Sequence, residues 1–234
     1  MDMIDRQKAF RPFRWFVRSE AGTTLVEFAL CIALFLLILF AVLDFGRLGY
    51  NWVVAEKAMQ RAVRIASVRT TVCADVPEFH SRSDPNDGTF PAGTLCREQP
   101  GLCLAVSRQC LLSNPDPARA AAAATADEIW ASIAPLMPNN AARENVLIRY
   151  DYDQRLGFLG GPYVPMITAE LGTDSNSDGN FTSADEDFLF TFISPLSALA
   201  GQATGTSNSI PNSIPFPDIS VSLPAEDLNV GNGG

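Results

Sequence analysis

Between Asp174 and Asp185 the chain reads DSNSDGNFTSAD, with oxygen-bearing side chains at alternate positions ahead of a glycine. Asp174, Asn176 and Asp178 take the first, third and fifth places of a twelve-residue loop, and Gly179 takes the sharp-turn sixth. Asn180, the seventh, offers its backbone carbonyl, Thr182 acts through water, and Asp185 closes the loop at the twelfth. Hard oxygen donors at this spacing suit calcium. Bound there, the ion would neutralise three carboxylates and tie a loop that otherwise repels itself, a structural role. The competing reading is a polar surface loop made of turn formers.

Cysteine chemistry is the second candidate. Cys73, Cys96, Cys103 and Cys110 follow a long apolar stretch, and Cys31 lies within it. An even set of four in an oxidising compartment reads as two disulfides, with three pairings open. Zinc is the alternative, but spacings of 23, 7 and 7 lack the close pairs of a structural zinc site. Cys31 is a small apolar residue with no chemistry of its own.

The third candidate is one carboxylate, Glu27, inside AGTTLVEFALCIALFLLILFAV. From Phe28 to Leu43 no charge occurs, and with Leu25 and Val26 the run approaches the ~20 residues that cross a bilayer. FLLILF has no polar face, which argues for lipid rather than a protein core. A carboxylate in hydrocarbon is costly and calls for a partner. A cut after Gly22 would supply one, because the new amine of Thr23 lies four residues before Glu27. Residues 1–22 carry Arg6, Lys8, Arg11, Arg14 and Arg18 against three acids, so this end stays in the cytoplasm and the C-terminal bulk is exported. No A-x-A-like cleavage site follows the apolar run, so the span is retained.

A basic leader, a small residue at the cut, then Glu at the fifth place and an aromatic at the sixth form the signature of a type IV prepilin, here Gly22, Thr23, Glu27 and Phe28. The continuation, from VEFAL through DFGR at Asp44 to Arg47 and on to AMQRAVRIAS, resembles the TadE-like pseudopilins of the tight-adherence pilus. Val63 and Ile65 stand where that family commonly has small residues. The resemblance covers about residues 19–70. It implies a single-pass protein of the inner membrane, cut by a prepilin peptidase, that meets other pilin or pseudopilin subunits and the inner-membrane assembly platform and serves pilus biogenesis and adhesion. It also implies a long N-terminal helix paired with a small antiparallel sheet. The loop at 174–185 is similar to the calcium loop of dockerins, with Asp at the twelfth place where an EF-hand has Glu; here Glu186 is one later. Ser183 to Leu199 would supply its exit helix.

These elements define an α+β chain: a leader at 1–22, a membrane helix at 23–43, an amphipathic continuation at 44–70 and an exported domain at 71–234. In the continuation Leu48, Trp52, Ala55, Met59, Ala62 and Ala66 recur at helical steps, and Lys57, Arg61 and Arg64 make a basic stripe read as a solvated face, with a specific partner surface as the alternative. Gly46 and Gly49 would permit a bend. A second helix is expected over Pro117 to Ala134, capped by Asp116 or Asn114 and stopped by Pro135. Strands are expected at Asn145 to Tyr152 and Asp218 to Leu223, with Tyr163 to Thr168 too short to assign, and 71–115 reads as turns held by disulfides.

Charge narrows the function. The chain carries a net −9, and residues 23–234 hold twelve basic against twenty-three acidic side chains, a net of −11, which is the wrong sign for nucleic acid. The single His80 has no recognisable nucleophile or metal-ligand setting, and no phosphate-binding glycine motif occurs, so no enzyme is expected. The reading is a minor pilin or pseudopilin of a tight-adherence type IV pilus. The alternative is a membrane-anchored, calcium-stabilised adhesin or scaffold that never assembles.

Overall fold

One helix, α1, runs from Ala21 to Val68 through the whole apolar stretch and its amphipathic continuation. In the computed structural model, which describes residues 21–86, 88–174, 181, 187–193, 213–226 and 228, Gly46 and Gly49 lie within this helix without ending it. Both have open space where a Cβ would stand. The described residues fall into two compact units.

The first unit holds α1 up to Gly46 together with Phe192 and Ile193. Its apolar side chains point outward: Phe28 is 67% exposed, Leu34 64% and Val42 65%. A water-soluble helix would hide such a surface, so it calls for an apolar medium. Asp44 is the exception, buried at the end of the run and engaged by a partner.

The second unit holds the rest of α1, from Arg47, and the sheet. Here Ala55, Ala58, Met59, Ala62, Val63 and Ala66 are fully buried on one side of the helix while Lys57, Arg61 and Arg64 are exposed on the other. Trp52, expected inward, is 43% exposed. Four antiparallel strands lie in the order β1 (Ser107–Leu111), β2 (Val146–Asp151), β3 (Met166–Leu171) and β6 (Ile219–Pro224). A separate pair joins β4 (Leu189–Thr191) to β5 (Ser213–Pro215). The α+β class and the antiparallel sheet match the sequence expectation.

Several local expectations needed correction. β2 does not alternate cleanly, because Leu147 is as buried as Val146 and Ile148; a central strand covered on both faces loses its polar side. β1 falls in the region read as turns. The second helix, α2, is Ala120–Ile133 with Arg119 at its N-cap, shorter than the expected Pro117 to Ala134. Asp116 Oδ1 accepts the amide of Ala118 at 2.9 Å, an Asx turn ahead of the helix rather than a cap on it. Pro135 sits in a 3-10 turn, Ala134–Leu136, where its missing N–H costs little. The described part of 183–199 includes β4, a strand where an exit helix was expected.

The end of α1 is tied to the sheet side of the unit by several bonds. Arg69 pairs with Glu128 of α2 at 2.9 Å. The amide of Val72 donates to the Tyr150 hydroxyl at 3.1 Å, and that of Glu226 to the Ser67 carbonyl at 3.0 Å. Tyr150 is wholly enclosed, so burial raises its phenol far above the ordinary value and keeps it neutral.

Candidate functional site

The residues of the expected processing site lie in the first described turns of α1. Gly22, Thr23, Glu27 and Phe28 are all exposed, and Gly22 has nothing within 4 Å of where a Cβ would lie. Thr23 and Glu27 stand one turn apart on one face. An amine at Thr23 would lie within reach of that carboxylate, or of the same carboxylate on a neighbouring helix.

The DFGR element supplies contacts that sequence reading did not anticipate. In the first unit, the Phe45 ring meets Phe192 edge-on at 6.0 Å. In the second, Arg47 donates to the carbonyl of Thr191 at 2.6 Å and its guanidinium lies 4.5 Å from the centre of the Phe190 ring. The side chain thus clamps α1 to β4. The only sequence signal for this was the arginine itself, since its aromatic partner is more than 140 positions away.

The four cysteines that follow α1 form two disulfides, Cys73–Cys110 and Cys96–Cys103. The first joins the chain just after α1 to β1 and closes a loop of 37 residues; the second closes one of 7. His80 comes close to the second, with a ring nitrogen and both sulfurs within 4.8 Å of one another. Each sulfur is already bonded to the other, so neither is a thiolate, and the zinc alternative does not apply to this trio.

Around that disulfide Cys96, Leu102, Cys103 and Leu159 make a small core, with Phe90 and Tyr152 packed on it. The cysteine region is therefore held by apolar packing as well as by sulfur, against the expectation. His80 is 1% exposed, and its Nε2 accepts the amide of Val164 at 3.1 Å. Burial holds the imidazole below its ordinary pKa. The Tyr163 ring lies 5.0 Å from it and its hydroxyl donates to the carbonyl of Val106; burial first, then Asp151, pushes that phenol up to about 12.

Of the calcium-ligand candidates only Asp174 is described, half-buried just beyond β3 and engaged by a partner. Asn176, Asp178, Asn180 and Asp185 lie outside the described residues.

An exposed apolar helix opening with Glu27 and followed by DFGR is the arrangement the resemblance implies. The family model for TadE-like protein matches residues 22–64. The TadE-like segment therefore begins at the residue expected to precede the cut and takes in Glu27, the apolar run, DFGR and the whole basic stripe. No curated protein and no solved structure matches the chain. The match supports a pilin-like protein associated with a tight-adherence pilus, and the helix at its heart is long and apolar enough to cross a membrane.

Proposed function

We propose that the chain is a minor pilin or pseudopilin of a tight-adherence type IV pilus, stored in the inner membrane with its N-terminus cytoplasmic and its sheet-bearing unit exported. The observation that carries this reading is the TadE-like match over 22–64 together with the outward-facing apolar helix that this segment forms. A prepilin peptidase cuts after Gly22. The ammonium of Thr23 then meets Glu27, on its own helix or on that of the subunit ahead, and removes the cost of a bare carboxylate in hydrocarbon. Residues 28–43 supply helix packing, and the assembly platform and fellow subunits are the partners. A calcium ion in the 174–185 loop stiffens the exported unit.

The mature N-terminus tests this. Intact-mass analysis of protein from its native envelope is expected to show a chain that begins at Thr23. A chain that begins at Met1 would overturn the reading and leave a plain membrane anchor.

A further inference from the structure

The exposed side of α1 beyond Arg47 is chemically unlike the rest of the exported surface. Tyr50, Val53, Lys57, Arg61, Arg64 and Val68 fall within an arc of about 80° on the helix at about 100° per residue. Tyr50 is 68% exposed, Val53 52% and Val68 38%, and the three cations between them are exposed as well. Apolar residues thus bracket a positive centre, and the fully buried alanines and Met59 on the other side hold this face outward.

Among the described residues, every other cation of this unit except the exposed Arg97 is used internally. Five arginines pair with carboxylates, and three more donate to backbone carbonyl oxygens. On the stripe, Lys57 reaches only the amide side chain of Gln60, and Arg61 and Arg64 have no carboxylate partner among the described residues. Three cations with no carboxylate partner among the described residues stand in register on one helical face, a concentration of positive charge in a region whose net charge is −11. The same chain carries acidic groups away from this face: Asp75 and Glu98 are exposed with no cationic partner among the described residues.

We infer that the Lys57, Arg61 and Arg64 face is a subunit contact that receives the acidic exported surface of a second copy of this chain. The inference rests on the pilin reading and deepens it by naming the contact. A basic face on one copy and an acidic surface on the next are different patches, so the contact is heterologous. It does not close at two copies and passes on to a third. Charge sets register and encounter, while Tyr50, Val53 and Val68 supply the apolar rim.

The experiment uses the full chain in nonionic detergent, with self-association followed by sedimentation and chemical cross-linking at low and high salt. Species larger than dimers are expected at low salt, receding as salt screens the contact. Arg61→Glu with Arg64→Glu is expected to weaken association roughly tenfold or more, while Arg61→Lys with Arg64→Lys keeps most of it. Both variants should melt like the parent, because these side chains are exposed. A parent chain that stays monomeric, or association that ignores charge reversal, overturns the inference. So does a double variant that loses only its binding to phosphatidylglycerol vesicles, because the face would then be a lipid contact. Normal pili that contain the Glu variant sink this contact and spare the pilin reading. A mature N-terminus at Met1 sinks the pilin reading, and the detergent measurement still scores the contact.

Discussion

His80 Nε2 accepts a hydrogen bond from the backbone amide of Val164 at 3.1 Å, inside a lobe where the imidazole is 1% exposed. A nitrogen that accepts from an N–H cannot itself carry a proton, so this bond exists only with the neutral ring. Burial lowers the folded pKa below 6.5, whereas the unfolded chain titrates near that value. Between the two the unfolded state binds more protons. The contribution is therefore complete above pH 6.5 and is lost as pH falls through the folded pKa. The urea midpoint of the sheet-bearing unit should drop between pH 7.5 and 5, and His80→Ala should flatten that drop while lowering stability at pH 7.5 by about 1–3 kcal/mol through the orphaned amide. An equal slope in the variant would refute the assignment.

Gly157 belongs to the same lobe. Its φ is +77°, and a Cβ there would stand 2.1 Å from His80 Nε2. Alanine therefore meets two separate penalties, a left-handed backbone worth about 1–2 kcal/mol and a clash with a ring that has no room to retreat. A double-mutant cycle separates them. Gly157→Ala in a His80→Ala background should cost only the backbone part, well below its cost in the parent. Equal costs in both backgrounds would mean the ring does not enforce the glycine.

Element types were legible in this sequence wherever one physical signal dominated. The sixteen uncharged residues from Phe28 to Leu43 leave no alternative to a helix, and NVLIRYDY, rich in β-branched and aromatic residues, reads directly as a strand. What stayed hidden depended on partners distant in the chain. SRQCL carries no strand signal and becomes β1 because β2 offers it an edge, with Cys110 opposite Ile148. Arg47 reads as one more cation at a membrane exit until Phe190 and Thr191 are brought beneath it. The helical expectation for 183–199 followed from the resemblance to a calcium loop, and pairing with β5 makes Leu189–Thr191 a strand instead. Cysteine number was informative and pairing was not, since even count fixes two bonds and leaves three ways to draw them.

The two disulfides should differ in worth. Cross-linking removes more freedom from an unfolded chain when the loop is longer, about 4 kcal/mol for a separation of 37 and about 2 kcal/mol for one of 7. Cys73–Cys110 also joins the end of α1 to the edge of the sheet. Replacing both Cys73 and Cys110 with Ala should lower the melting temperature of the sheet-bearing unit more than replacing Cys96 and Cys103. The reverse order would show that packing of the Cys96–Cys103 core outweighs loop entropy.

Calcium is expected to raise the melting temperature of the full chain in detergent, and chelator to reverse the rise. Ion binding to the folded form alone stabilises it in proportion to the logarithm of free calcium once the site is near saturation. Asp178→Ala removes one ligand at the centre of the set and should abolish the shift without altering the calcium-free melt. A parent chain that melts identically with and without calcium removes the ion from this account and leaves the pilin reading untouched.

Glu27 gives the last and sharpest test, because cutting and assembly make different demands on it. In the proposed function the peptidase acts at the Gly22–Thr23 bond, and the Glu27 side chain lies more than one turn further along the helix. Alanine there leaves that bond unchanged and makes the helix more apolar, so membrane insertion and removal of residues 1–22 should proceed. Assembly is where the carboxylate matters, since a Thr23 ammonium entering a lipid-embedded bundle without a counter-charge carries a desolvation cost of several kcal/mol. Glu27→Ala should therefore accumulate in the membrane as cut, correctly folded subunit and fail to enter pili. Wild-type levels of this subunit in sheared pili from the variant would mean that the amine finds another partner and that Glu27 does not direct docking.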